Sequence, residues 1–151
     1  ERDTDGVRVR VRARLVPDQT APALGRYVYA YEVEITNVGN DEAVQVVSRL
    51  WRVRDEEGGE ETILGNGVVG EQPTLGRGET FSYTSACVLR RMRGSMSGKF
   101  VCAFQKSRRV VDVVVAPFAL TPREGGDDVE DDDDDVEALI RNDVSVVRAN
   151  D

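Results

Sequence analysis

The chain has 151 residues, 40% of them hydrophobic, and a formal net charge of −8. That length excludes two full domains but allows one domain plus an extension, able to bury roughly two-thirds of its unfolded surface. No histidine is present, which removes the commonest general base and the commonest ligand for a soft divalent metal.

From Val7 to Leu15 the residues alternate: Val7, Val9, Val11, Ala13 and Leu15 face one way, Arg8, Arg10, Arg12 and Arg14 the other. A period of two predicts a strand with one buried face. Pro17 to Pro22 is a loop. Tyr27 to Val38 is expected to be the second strand, with Tyr27, Tyr29, Tyr31, Val33 and Ile35 on one side. Val28, Ala30, Glu32, Glu34 and Thr36 take the other side, and the segment from Asn37 to Asp41 supplies the turn. Val44 to Arg54 is the third strand, with Val47, Trp51 and Val53 inward. Asp55 to Gly59 turns the chain into a short fourth strand, Glu60 to Leu64. Glu79 to Cys87, Ser97 to Phe104 and Val110 to Ala116 complete the set, the last stopped by Pro117 with Phe118 and Leu120 tucked behind it.

Seven short strands separated by turn signals, with no helical period between them, predict an all-β, immunoglobulin/fibronectin-III-like antiparallel sandwich over residues 1–124. Cys87 and Cys102 fall on strands five and six, not where an antibody-type bridge needs them, so the fibronectin-III label is preferred. Both are expected to be reduced and buried.

Between the fourth and fifth strands, Gly65, Gly67 and Gly70 make a G-x-G-x-x-G spacing. In a dinucleotide-binding fold that spacing leaves a strand and opens a helix. Here Glu71, Gln72 and Pro73 follow and no helical repeat does, so the Rossmann reading fails. Two readings remain: a structural turn that uses glycine at positive φ, or a loop that brings backbone N–H groups to a phosphate or a partner.

Residues 125–151 hold 11 acidic residues against Arg141 and Arg148, which leaves 17 acidic and 18 basic residues in 1–124. The acidity therefore belongs to a C-terminal tail on a near-neutral body. Val136, Leu139 and Ile140 share one face of a possible short helix after the run Asp131 to Asp135, and Val144 to Val147 could add a strand to some edge. Docking and plain solubilising are both open for this tail. The arginine stripe on the first strand has two readings as well. It pairs with Glu32 and Glu34 as a solvated face, or it tracks an RNA backbone through phosphates. Arg90, Arg91 and Arg93, and Lys106, Arg108 and Arg109, form two more basic clusters at expected loop tips. No apolar run reaches the ~18 residues a membrane helix needs, and no signal peptide is recognised.

The stretches Arg26 to Tyr31, Leu50-Trp51, Gly65 to Pro73, Phe81 to Ser85, Gly94 to Gly98 and Pro117-Phe118 follow one another in the order of the ApaG (DUF525) family, which the chain resembles over about residues 7–120. The resemblance implies a fibronectin-III-like sandwich. It also implies a link to cobalt and magnesium tolerance in bacterial members, which lie beside a diadenosine-tetraphosphate hydrolase gene, and an interaction role in F-box and polymerase-interacting relatives. A histidine that usually precedes the family's tryptophan is Leu50 here. The expectation is a protein with no catalytic residues, no metal and no cofactor: an intracellular interaction module that joins protein partners in a larger complex, with RNA contact through phosphates. A mitochondrial ribosome would suit a chain that starts at Glu1 rather than methionine; otherwise the cytoplasm is expected. The alternative is a nucleotide-binding domain of the diadenosine-polyphosphate kind, with Gly65, Gly67, Gly70, Glu71 and Gln72 at the phosphate and a link to divalent-cation homeostasis.

Overall fold

A computed structural model describes residues 1–122 and the backbone of a strand at Val146–Arg148. The Asp131 to Asp135 run and the Val136, Leu139 and Ile140 face lie outside the described residues. Two antiparallel sheets pack face to face. The first holds β1 (Arg2–Thr4), β2 (Val7–Leu15), β3 (Tyr27–Asn37) and β7 (Thr80–Leu89), hydrogen-bonded in that order. The second runs from β10 (Val146–Arg148) through β5 (Glu60–Asn66), β4 (Val44–Asp55) and β8 (Gly94–Phe104) to β9 (Val110–Leu120). A two-residue β6 (Thr74–Leu75) also pairs with β4. Seven long strands thus match the sequence expectation, and β1, β6 and β10 are short additions to it.

The alternation in β2 and β3 does what period two requires. Val7, Val9, Tyr29, Tyr31, Val33 and Ile35 are buried between the sheets. Trp51 of β4 lies at the centre, edge-on to Tyr31 of the facing sheet at 5.6 Å and to Phe100 and Phe118 of its own sheet at 5.6 and 6.0 Å. The residue opposite it on β8 is Gly98. A Cβ there would overlap the Leu50 carbonyl and come within 3.0 Å of the indole.

Three sequence expectations are corrected. Val47 does not face inward: the β4–β8 register shifts between Val46 and Ser48, so a bulge at Val47 hands the inward positions to Val46 and Arg49. Pro117 does not end the last strand, which continues to Leu120. Proline is tolerated because β9 is an edge and because Ala116 and Pro117 together oppose Ser97 in a second bulge. Val28 and Ala30 are not on a solvated face; with Val16 and Ala86 they form a small second core on the outside of the first sheet. The 3-10 turn Pro17–Gln19, whose Thr20 hydroxyl accepts a bond from the Val28 N–H at 3.1 Å, lies beside it.

Both cysteines are free and buried, Cys87 on β7 and Cys102 on β8. Burial, aided by Asp112, pushes the Cys102 thiol from 9.0 up to about 12, and burial also lifts the Tyr29 phenol to about 12. Both folded values lie above the unfolded ones, so the associated stability is present below those unfolded values and is lost as pH rises toward 12. The urea midpoint is therefore expected to fall as pH rises beyond about 9, and Cys102→Ala should flatten the first part of that fall. Trp51→Ala is expected to cost about 3–5 kcal/mol in the same assay.

Candidate functional site

The glycine-rich stretch is a hairpin whose atoms are engaged with one another. The Val68 N–H donates to the Glu71 carbonyl at 2.7 Å and the Glu71 N–H donates back to Val68 at 2.9 Å. Val69 and Gly70, at φ +49° and +80°, are the two central residues, which is the type I′ pattern of a two-residue hairpin. Position one of that turn favours asparagine or glycine. A β-branched residue there is strained by roughly 1–2 kcal/mol. Part of the compensation is packing, since Val69 lies partly buried against the core and Val68 is wholly inside it.

The bulge in β4 aims the Val47 carbonyl at this hairpin, where it accepts the Gly67 N–H at 2.6 Å and the Gln72 side-chain amide at 2.9 Å. Gln45 in turn donates to the Gln72 carbonyl at 3.3 Å. Arg49, only 5% exposed, donates to the carbonyls of Asn66 and Gly67 at 3.3 and 2.9 Å. Gly65 sits opposite Arg49 in the register, and a Cβ on it would lie within 2.5 Å of the guanidinium. Sequence reasoning missed Arg49. Its signal was a cation at an inward position of a strand, facing a glycine. The N–H groups of Gly67, Val68 and Glu71 are thus committed inside the protein, while the side chain of Glu71 is exposed and has no partner among the described residues.

The basic clusters are not drawn together. On β2, Arg8 binds Asp3 and Glu1, each at 2.9 Å, and the bond to Asp3 pushes its pKa further up. Arg10 and Arg12 lie opposite Glu34 and Glu32 in the register, and Arg14 is opposite Ala30. Arg90, Arg91 and Arg93 occupy the hairpin before β8, whereas Lys106, Arg108 and Arg109 occupy the one after it. The eleven residues of β8 hold the two clusters roughly 35 Å apart at about 3.3 Å per residue. The second cluster is ordered from within: Glu42 accepts the N–H groups of Ser107 and Lys106 at 2.8 and 3.0 Å, which holds its carboxyl below the usual range. Arg109 stacks on Phe104 at 4.7 Å.

The first cluster is different. Arg90 and Arg93 are exposed with no acidic partner among the described residues, and only Arg91 is held, by Glu57 at 2.7 Å. The Tyr29 hydroxyl donates to the Met92 carbonyl and fixes the turn. Met92 is 39% exposed, and Leu24, on the neighbouring turn whose Gly25 abuts the Arg90 carbonyl, is 82% exposed. Among the described residues no three of His, Cys, Asp and Glu converge, and no helix is long and apolar enough to cross a membrane.

Two antiparallel layers closed around one tryptophan, with a braced hairpin on one edge, define a fibronectin-III-like sandwich. The sequence model of the ApaG domain matches residues 17–103, and the chain belongs to the ApaG family. Protein ApaG of Methylobacterium nodulans is 48% identical over 118 residues, 78% of this chain and 89% of that protein. Protein ApaG of an Anaeromyxobacter species is 42% identical over 117 residues, with 78% and 90% covered. The crystal structure of an ApaA protein from Bordetella pertussis is 40% identical with a TM-score of 0.75, covering 79% of this chain and 95% of that one.

Gly67 stands at φ +61° with the Glu71 carbonyl where a Cβ would go. Gly67→Ala is therefore expected to destabilise the fold by several kcal/mol, more than the ~1 kcal/mol of an unhindered left-handed site. Val69→Asn should keep stability within about 1 kcal/mol, since relief of strain offsets lost packing. Thermal unfolding of the two variants side by side checks both.

Proposed function

We propose that this chain is a non-catalytic interaction module that joins a larger assembly, gripping a protein partner through the turn Arg90–Arg93. The observation that carries the reading is a fixed turn on which Arg90 and Arg93, exposed and with no acidic partner among the described residues, flank the exposed Met92, while Leu24 is exposed on the neighbouring turn whose Gly25 abuts the Arg90 carbonyl. Arginine and methionine are among the residues enriched in protein interfaces over ordinary surface. The partner surface that fits is acidic with an apolar centre. The sequence, with no histidine, supports a binding role over proton-transfer chemistry.

An RNA backbone would be gripped by several cations at phosphate spacing along one ridge; the ridge of that kind, on β2, has Arg8 bound to Glu1 and Asp3 and sets Arg10 and Arg12 opposite Glu34 and Glu32, and the other two clusters sit at opposite ends of β8. A protein partner is therefore the reading adopted. The bacterial relatives give an organellar ribosome no support. A nucleotide phosphate at Gly65, Gly67, Gly70, Glu71 and Gln72 is not adopted either, because three N–H donors of that hairpin are already bonded to carbonyls.

Arg90→Glu with Arg93→Glu is expected to leave the melting temperature unchanged, since neither side chain has an ion-pair partner among the described residues. The double variant should lose the protein that co-purifies with the wild type at moderate salt after nuclease treatment. Elution of the wild-type chain alone from native extract would overturn the proposal.

A further inference from the structure

Strand β5 lies toward one end of its sheet, and its outward edge holds a described segment. Val146 pairs with Ile63, Val147 with Thr62 and Arg148 with Glu61, antiparallel. The segment's described residues, 146–148, face three of the seven residues of β5. Meanwhile β5 is well made for receiving a strand. It pairs with β4 over its whole length without a register break, contains no proline, and carries the β-branched Thr62 and Ile63 where the segment sits.

Two other edges carry features that discourage strand addition: β9 has Pro117 and a bulge, and β1 is three residues long. The outer edge of β7 has no described segment on it. The seated segment is what singles out β5.

We propose that the β5 edge is a strand-receiving dock for an extended, β-branched segment of a protein partner, and that residues 146–148 occupy it in cis until such a segment replaces them. This rests on the interaction-module reading and gives it a second contact with its own chemistry. Main-chain bonds provide the hold, and side chains at alternate positions provide selection. A tethered occupant acts at an effective concentration on the order of mM, so a partner segment displaces it only when a second contact, such as the arginine turn, also holds the partner.

The test uses a fluorescent peptide of residues 143–151 and the full chain, with or without Val146→Pro and Val147→Pro. Neighbouring residues of an antiparallel strand alternate between facing the partner strand and facing away, so one of the two rings must remove a donor to β5. A chain stopped after Asn142 serves as the second variant. The Bordetella structure, 95% of which is matched by 79% of this chain, shows that a sandwich of this length folds alone. The peptide is expected to bind both variants at least about tenfold more tightly than the wild-type chain and to slow amide exchange at Glu61, Thr62 and Ile63. Equal affinity for all three proteins, or no binding to any, overturns the dock. Partner capture that depends on Arg90 and Arg93 is scored separately, so the dock can fail while the module reading stands, and the reverse.

Discussion

The sandwich depends on one fit: the indole of Trp51 lying where Gly98, opposite it on β8, has no side chain. That vacancy lets the ring lie low on its own sheet, so that Tyr31 of the other sheet, Phe100 and Phe118 can close on it edge-first. Edge-to-face aromatic contacts add about 0.5–1.5 kcal/mol each beyond the area they bury. They also fix orientation, which a uniform aliphatic core does poorly. Phe118 reaches the ring only because the bulge at Ala116 and Pro117 shifts the end of β9 by one position, so that Phe118 pairs with Met96.

The second organising feature is the other bulge, at Val47. One extra residue in β4 turns a carbonyl sideways to receive Gly67 and Gln72, and the same slip gives Arg49 an inward position. A buried guanidinium is costly unless its N–H groups are met. Here the carbonyls of Asn66 and Gly67 meet two of those demands, and the room to reach them exists because residue 65 is glycine. The glycine spacing therefore serves steric and polar needs of the sheet: Gly65 makes room for Arg49, Gly67 for the Glu71 carbonyl, and Gly70 completes the turn. A motif that reads as phosphate chemistry in a βα unit becomes, between two strands, a way to pack an arginine.

What was legible in the sequence followed from local period. The alternation Val7 to Leu15 and Tyr27 to Ile35 placed both strands and their inward faces, and Trp51 was assigned inward correctly. What failed depends on partners far along the chain. A bulge is a disagreement between two strands about register, and Val47 shows nothing of it alone. Val28 and Ala30 look solvated until Val16 and Ala86 arrive from residues on either side. Arg49 falls on the face that period two gives to Trp51 and Val53, but a cation there shows nothing of the carbonyls that receive it. Strand β1 escaped notice although Asp5-Gly6 is a strong hairpin signal, because three residues are too few to display a period. The candidate surface was less legible than the fold: the arginine clusters were visible, but which had acidic partners and which lay together could be read only from the folded chain.

That small hairpin has a mechanical side. Beyond its pairs with β2, β1 reaches the other sheet where the Thr4 hydroxyl accepts the Val114 N–H at 3.3 Å, so it works as a clasp across the seam between the layers. Pairs in a hairpin open one at a time under load, unlike strands sheared along their length. A pull applied at Glu1 would thus peel Arg2, Asp3 and Thr4 away in sequence and release the clasp, leaving the aromatic centre undisturbed until the force arrives at Val7.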